Sequence, residues 1–179
     1  MKILSAILIV TSLLLSSCDL FNIKHDPKLP PITTDGNDTF GCLINGNLFL
    51  PETSFGYGAG VHAELLKNDT ISSVNIYASN QSTSQSLFIS VLDKPELKVG
   101  YTYELSDTTT CGIQYIIYSS KPSCEYIKVI KGSIKLLKFD LSNPQHKVIS
   151  GTFEFSTSSV ECKDTAILAD GRFDIGDVI

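Results

Sequence analysis

The sequence has no tryptophan, a single arginine (Arg172) and, apart from the initiator, no methionine. Its 14 basic residues are scattered among 19 acidic ones, and the formal net charge is -5. No segment combines clustered basic residues with aromatic ones, the pattern of nucleic-acid-binding surfaces. An acidic chain is also not attracted to anionic lipid. The composition therefore predicts no nucleic-acid partner, and any membrane attachment has to be covalent or hydrophobic.

Sequence signatures of catalysis and cofactor binding are also missing. The three histidines (His25, His62 and His146) do not have the spacing of metal ligands. No Gly-x-Ser-x-Gly motif marks a serine nucleophile, and the glycine-rich segment 56–60 lacks the Lys and Ser/Thr of a phosphate-binding loop. We therefore predict a protein that is not an enzyme and that uses no metal or cofactor.

The longest apolar run lies at the start of the chain, over residues 3–15. It is too short to cross a bilayer, because a spanning helix needs about 20 residues, but it is typical of a signal peptide. The Leu-Ser-Ser-Cys tetrad that follows resembles the bacterial lipobox, in which the chain is cut before the cysteine and the thiol is acylated. We predict a signal peptide over residues 1–17 and a lipid on Cys18; the alternative is an ordinary secretory signal.

Residues 18–39 contain three prolines among polar residues and show no apolar period. Such a segment cannot bury enough apolar surface to fold. We therefore expect residues 18–39 to form a flexible tether that begins at the lipidated Cys18. The folded domain is expected over residues 40–179.

Alternation of apolar and polar residues dominates residues 40–179 and predicts antiparallel strands with one wet face. Asn45-Gly46 between apolar runs is a strong hairpin signal. The expected inward residues are Val61, Ala63, Leu65, Val74, Ile76, Ala78, Leu87, Ile89, Val91, Val99, Tyr101, Tyr103, Leu105, Ile149, Gly151, Phe153 and Phe155. We predict an all-β domain of about nine or ten short strands, either an antiparallel sandwich or an up-and-down barrel.

One strand breaks its own alternation. In SIKLLKFDL the phase changes between Leu136 and Leu137. A β-bulge between these residues would keep Ile134 and Leu137 on the same side of the sheet.

The lipobox, the INGNLFLP hairpin, the VGYTYEL segment and the closing GTFEFS…DGRFDIG together resemble small Bacteroidota lipoproteins of unknown function. The similarity covers nearly the whole chain in order. It implies an envelope location and a β-rich domain. We expect the lipid on Cys18 to anchor this domain at the outer membrane. It brings no established activity and no catalytic residues.

Four cysteines remain once Cys18 carries lipid. Export to an oxidising compartment favours disulfides, and four cysteines allow three pairings. We expect Cys111–Cys124, which closes a hairpin if that hairpin is offset, and Cys42–Cys162, which joins the first strand to the last. Free buried thiols are the alternative.

Two aromatic residues, Phe55 and Tyr57, are candidates for binding. They lie in the glycine-rich segment SFGYGAG. Exposed aromatic side chains on a loop suit contact with a sugar or a protein. The alternative is that Phe55 packs beneath its own loop.

An acidic cluster surrounds the only arginine. Asp170, Asp174 and Asp177 flank Arg172 in DGRFDIGD. We expect Arg172 and Asp174 to form a surface ion pair in the last strand. A weak calcium or ligand site is the alternative, although the spacing is not that of an EF-hand.

The sequence favours a non-enzymatic binding or assembly module of the cell envelope that contacts a protein or a glycan. One alternative is a lipocalin-like binder of a small apolar ligand, with Tyr101, Tyr103 and Phe153 around a central cavity. A less favoured alternative is a carbohydrate-active hydrolase that uses two carboxylates, such as Glu154 and Asp174.

Lipidation of Cys18 predicts a change in partitioning when this residue is replaced. The Cys18→Ala protein should move from the detergent phase to the aqueous phase, because it loses acyl chains that each contribute about 0.8 kcal/mol per buried CH₂. Phase separation of cell extracts measures this. Retention of the variant in the detergent phase would show that Cys18 does not carry the anchor.

Overall fold

The computed structural model describes residues 28–52, 60–67, 70, 72–93, 96–104, 111–118 and 123–179. These residues form ten strands and contain no helix. The strands are β1 (Thr39–Ile44), β2 (Asn47–Phe49), β3 (Val61–Lys67), β4 (Ser72–Asn80), β5 (Gln85–Asp93), β6 (Thr102–Glu104), β7 (Cys111–Ile117), β8 (Cys124–Asp140), β9 (Val148–Ser159) and β10 (Thr165–Ile175). The prediction of an all-β fold is confirmed.

The strands form one antiparallel sheet in the order β2-β1-β10-β9-β8-β7-β5-β4-β3. The long strand β8 pairs with β9 along one edge, and its other edge pairs first with β7 and then with β6. The sheet curls into a half-barrel, which is consistent with the expected sandwich or barrel.

The segment after β10 continues the curl to the far end of the sheet. The N–H of Ala63 in β3 donates to the carbonyl of Asp177 at 3.0 Å, and the N–H of Ile179 donates to Ala63 at 2.9 Å. A second link joins Glu52 to Ser79 in β4 at 2.9 Å. Chain segments from the β1–β10 side therefore satisfy backbone groups of β3 and β4 that the sheet ladder leaves open.

The inward alternation is confirmed for β3, β4, β5 and β9, whose predicted apolar residues are buried or half-buried. Phe153 lies at the centre of an aromatic cluster, with ring centroids 5.4 Å from Phe40 and 5.8 Å from Phe155. Gly171 lies opposite Phe153, whose ring occupies the space that a Cβ would need. A cross-strand pair of glycine and phenylalanine thus fills the interior without a void.

The Asn45-Gly46 hairpin forms as predicted. Asn45 has φ 50° and Gly46 has φ 79°, the left-handed values that a two-residue turn of this type requires. The turn brings Ile44 opposite Asn47. The N–H of Asn45 also bonds to the carbonyl of Ile167 at 2.8 Å, which ties the hairpin to β10.

The predicted alternation in VGYTYEL is wrong in part. Tyr103 is 5% exposed, but Val99 and Tyr101 are more than half exposed. The reason is a turn at Gly100, which has φ 78° and donates its N–H to Leu136. This turn shortens β6 to three residues, and Leu105 lies outside the described residues.

The bulge in β8 is confirmed, but the predicted facing of its residues is wrong. The register with β9 shifts between Leu136 and Lys138, so Leu137 is the extra residue. Ile134 and Leu136 are both buried, and Phe139 takes the next inward position. The alternation therefore continues through Leu136 and changes one residue later than predicted.

The expected tether extends too far into the chain. Residues 28–38, here called the arm, lie against the outer face of the sheet beside β1 and β10. The Pro30 ring lies over Gly41, where a Cβ would be 2.7 Å from the proline Cδ. The Lys138 ammonium donates to the carbonyl of Thr34 at 3.1 Å. A flexible tether is therefore wrong for residues 28–38, and residues 18–27 lie outside the described part of the chain.

Candidate functional site

Two adjoining depressions lie on the outer face of β6, β8, β9 and β10, and together they are called the outer groove. Their volumes are about 340 and 500 Å³, and both are bordered by Ser133 and Glu154. The other polar borders are Thr102, Glu104, Lys131, Lys135, Thr152, Ser156, Asp170 and Arg172. Small hydroxyl side chains lie in the middle of the strands and leave space above the sheet between the longer charged ones.

The outer groove carries charges of both signs, three basic and three acidic. Its only guanidinium, that of Arg172, donates to the backbone carbonyls of Asp170 at 3.0 Å and Pro30 at 3.3 Å. Arg172 forms no ion pair with Asp174; among the described residues the only ion pair is Lys67–Glu96 at 2.7 Å. The expected pair of Arg172 and Asp174 is therefore wrong.

Asp174 is buried beneath the arm, although its strand position is on the outer face as predicted. Its exposed fraction is 1%. The Thr33 hydroxyl donates to Oδ2 at 2.6 Å, and the N–H groups of Asp35 and Gly36 donate to Oδ2 and Oδ1 at 3.0 and 2.8 Å. Both the N–H and the side-chain amide of Asn37 add bonds to Oδ2, at 3.4 and 3.3 Å. The arm thus forms an anion-binding loop for this carboxylate.

Asp38 makes the reciprocal contact. Its Oδ1 accepts the N–H groups of Gly176 and Asp177, each at 2.8 Å. Gly36 and Gly176 lie so close that a Cβ on Gly176 would be 2.7 Å from the Gly36 carbonyl oxygen. The Asp174 carboxylate thus accepts N–H groups of the arm, and the Asp38 carboxylate of the arm accepts N–H groups of the segment after β10. We call this reciprocal arrangement the clasp.

Two opposing effects set the pKa of Asp174. Burial raises it, because desolvation disfavours the charged form. The hydrogen bonds from the Thr33 hydroxyl and from the N–H groups of Gly36, Asp35 and Asn37 lower it. The hydrogen bonds outweigh burial, and the pKa of Asp174 lies below its ordinary value. The carboxylate is therefore an ionised acceptor that the arm fully occupies.

The clasp also explains an outward residue of β9 that is buried. Ser150 lies opposite Asp174 in the register of β9 and β10. It was expected on the wet face, but its exposure is zero. The residue does face outward, and burial follows from its position beside the Asp174 carboxylate under the arm.

The two hydrolase candidates differ in accessibility. Glu154 is exposed in the outer groove. Asp174 is buried, is bonded to the arm and does not border the groove, so a substrate in the groove would not reach it for acid or base catalysis. The structure does not bring the two carboxylates together in one open cleft.

The aromatic residues proposed to line a central cavity are dispersed. Tyr101 is on the surface, where Lys98 Nζ lies 5.7 Å from its ring centroid. Tyr103 is buried, and its hydroxyl accepts the N–H of Lys98 at 2.7 Å and contacts Asp93 at 3.1 Å. Phe153 is part of the packed aromatic cluster. These three side chains therefore do not line a common cavity.

The predicted disulfide pairings are both wrong, because the structure pairs Cys124 with Cys162. Cys124 lies opposite Ile117, so Cys111 is at the far end of β7 from it. Cys162 is in the turn between β9 and β10, beside the start of β8, with a Cα–Cα distance of 5.6 Å to Cys124. In the chain-entropy model, a bridge that closes a loop of this length raises the free energy of unfolding by about 4 kcal/mol.

Cys42 is a free, fully buried thiol in β1. It does not pair with Cys162, which is bonded to Cys124. The end of β1, at Ile44, lies opposite Leu168, whereas Cys162 lies in the turn before β10 begins at Thr165. Burial raises the pKa of Cys42 to about 12, so the thiol is protonated and unreactive. Free buried thiols were the alternative considered for these cysteines, and Cys42 is one.

The described histidines lie apart. His146 is exposed in the turn between β8 and β9, and His62 is half-buried on the outer face of β3. The described residues contain no group of three or more His, Cys, Asp or Glu that could hold a metal ion. The candidates Cys18, Phe55 and Tyr57 lie outside the described residues, as does His25.

A second feature of the outer face is an aromatic row across three strands, which no sequence motif predicts. The ring of His62 stacks on Tyr77 with centroids 4.8 Å apart and an interplanar angle of 11°, and Tyr77 lies 4.9 Å from Phe88. All three residues occupy polar-face positions of their strands. The register of the β4–β5 hairpin is the feature that could have predicted part of the row, because the turn after Asn80 places Tyr77 opposite Phe88.

No family model, no curated protein and no solved structure matches the chain. No helix in the described part of the chain has the length and apolarity to cross a bilayer. The outer groove, the clasp and the aromatic row are therefore interpreted from their own geometry.

The clasp predicts that Asp174→Asn destabilises the fold. An amide cannot replace the carboxylate as an acceptor of all five bonds. A hydrogen bond to a charged group contributes about 1.5–3 kcal/mol to the free energy of unfolding. We expect the free energy of unfolding at pH 7 to fall by about 2–4 kcal/mol, measured by urea denaturation. Asp170→Asn is the matched control, because Asp170 is an exposed carboxylate of the same strand.

Urea denaturation at lower pH tests whether the stabilising contribution of Asp174 depends on its charge. Because the folded pKa of Asp174 is lowered, its contribution is present above the unfolded pKa of about 3.9 and is lost as the pH falls through the folded value. The difference between the wild-type protein and Asp174→Asn should therefore shrink below about pH 4. Equal stability of the two proteins at pH 7 would contradict the clasp.

Proposed function

We propose that the protein is a lipid-anchored, non-enzymatic binding module of the bacterial cell envelope and that the outer groove binds a segment of a partner protein. The observation that carries this proposal is the composition of the groove. Three basic and three acidic side chains border it together with the hydroxyl groups of Thr102, Ser133, Thr152 and Ser156, and the exposed apolar side chains of Ile32 and Ile167 border it as well. Such a surface complements a protein segment that carries both charged and apolar side chains better than it complements a nucleic acid.

The state of Asp174 supports a binding role rather than hydrolysis. A glycosidase of the common type needs two accessible carboxyl groups that flank the scissile bond. Glu154 is accessible, but Asp174 is buried and bonded to the arm. We therefore propose that Glu154 contributes charge to a binding surface and does not act as a catalytic acid.

The anchor is proposed from the sequence, and the arm limits how far the domain can stand from the membrane. If Cys18 carries lipid, only residues 19–27 separate it from Lys28, where the packed arm begins. Even a fully extended chain of this length spans only about 35 Å. The proposed module therefore works close to the bilayer, on partners of the same envelope layer.

Photo-cross-linking in intact cells tests the groove. A photoreactive amino acid in place of Thr152 should give a discrete adduct, because Thr152 borders the groove. The same amino acid in place of Gln145, in an exposed turn away from the groove, is the matched control and should not give it. The double variant Lys131→Glu, Lys135→Glu should reduce the adduct at least tenfold, since it reverses two charges of the groove.

Two results would contradict the proposal. One is an adduct of the same size and yield from position 145. The other is an adduct from position 152 that the charge reversal leaves unchanged, which would place the contact elsewhere.

A further inference from the structure

We propose that the aromatic row, with the open space over Gly112 beside it, is a binding site for a neutral saccharide. The site is on the outer face of β3, β4, β5 and β7, separate from the outer groove on β6 and β8–β10. Its ring residues are His62, Tyr77 and Phe88, and its polar residues are Glu64, Asn75, Ser90 and Gln114. The proposal does not depend on the function assigned to the groove.

The row is fixed by the sheet register. His62 lies opposite Tyr77, and Tyr77 lies opposite Phe88. The Tyr77 hydroxyl donates to Glu64 Oε2 at 3.0 Å, which locks the central ring of the stack. Burial and this hydrogen bond to Glu64 raise the pKa of Tyr77. The hydroxyl is thus a donor at neutral pH, and the rings present a preorganised apolar surface.

The space beside the row comes from a glycine. Gly112 in β7 lies opposite Ser90. This pair is the next one on the same face of the sheet after the pair of Phe88 and Gln114. A Cβ built on Gly112 would have only the Ser90 Cβ within 4 Å, at 3.7 Å. Unlike Gly171, whose missing side chain is replaced by a phenylalanine ring, Gly112 has only this one ordinary contact, and no other side chain takes the place of its own on the outer face.

The polar groups around this space are mostly uncharged. Ser90 donates to the Asn75 side chain at 2.8 Å, and Gln114 lies opposite Phe88 on β7. Among the residues named for this site, the groups that can carry a charge near neutral pH are the Glu64 carboxylate and the His62 ring. Hydroxyl and amide groups without a strong net charge match a ligand that is rich in hydroxyl groups and neutral. They do not match a phosphate or a polyanion.

The combination of ring and gap points to a sugar. A pyranose has an apolar face of C–H groups, which suits contact with an aromatic ring, and an edge of hydroxyl groups, which suits the amides and the serine. A ligand seated over Gly112 would lie against Phe88, while its hydroxyl groups reach Asn75, Ser90 and Gln114. Cross-strand stacking alone would stabilise the sheet, but it does not account for the open position next to the rings.

The test uses the full-length chain in detergent and neutral oligosaccharides as probes: maltohexaose, cellohexaose and mannohexaose. Binding is followed by calorimetry and by NMR shifts of backbone amides. Gly112→Val fills the proposed space with a residue that favours strands, and its Cβ would meet only the Ser90 Cβ, at 3.7 Å. We expect at least tenfold weaker binding with an unchanged or higher melting temperature. Phe88→Leu should also weaken binding at least tenfold, because it removes the ring.

Ser158→Val is the control, because it places valine at a half-buried position of β9 that borders neither the row nor the outer groove, and it should not change saccharide affinity. The proposal is overturned if none of the three oligosaccharides binds the wild-type chain. It is also overturned if Gly112→Val binds as tightly as the wild-type chain, or if the amide shifts lie in the outer groove instead of β4, β5 and β7.

Discussion

The buried carboxylate of Asp174 is the contact on which the arrangement of this protein depends. It is on the outer face of β10, a position that normally faces water, and it is kept ionised by five hydrogen bonds from the arm. A buried charge without such partners would cost several kcal/mol. The arm therefore cannot leave the sheet without exposing or stranding this charge, and the charge holds an otherwise polar segment in place.

The same contact organises the surface around it. Asp38 binds the backbone after β10, and that backbone continues to β3, where Ala63 accepts and donates hydrogen bonds. Arg172 is held beside the arm by the carbonyl of Pro30 and borders the outer groove. The clasp thus connects the point where the chain enters the sheet, the far strand of the half-barrel and one wall of the groove. Loss of the clasp should loosen all three together.

Much of the fold follows from local pattern. Alternation placed Ile76, Ile89 and Phe155 in the interior, and Asn45-Gly46 defined a hairpin, because strand period and turn chemistry act over a few residues. The predictions that placed Tyr101 and Leu137 in the interior failed for local reasons as well. A turn at Gly100 and the position of the bulge in β8 each change the phase of the alternation. The pattern of apolar residues alone does not show at which residue the phase changes.

The candidate sites depend on contacts that are distant in sequence. Asp174 was correctly placed on the outer face, but its partners are about 140 residues away in a segment with no apolar period. The pairing of Cys124 with Cys162 depends on the turn between β9 and β10 meeting the start of β8, which follows only from the assembled sheet. The aromatic row of His62, Tyr77 and Phe88 required the register of three strands at once.

Native-state hydrogen exchange tests the central claim most directly, because it reports on the arm's own amides. The N–H groups of Asp35 and Gly36 bond to a buried carboxylate, so opening them requires release of the arm from Asp174. At pH 7 these two amides should be protected from exchange to an extent comparable with the amides of β10. Exchange of both at the rate of an unstructured peptide would show that the arm is not held by Asp174 and would contradict the account.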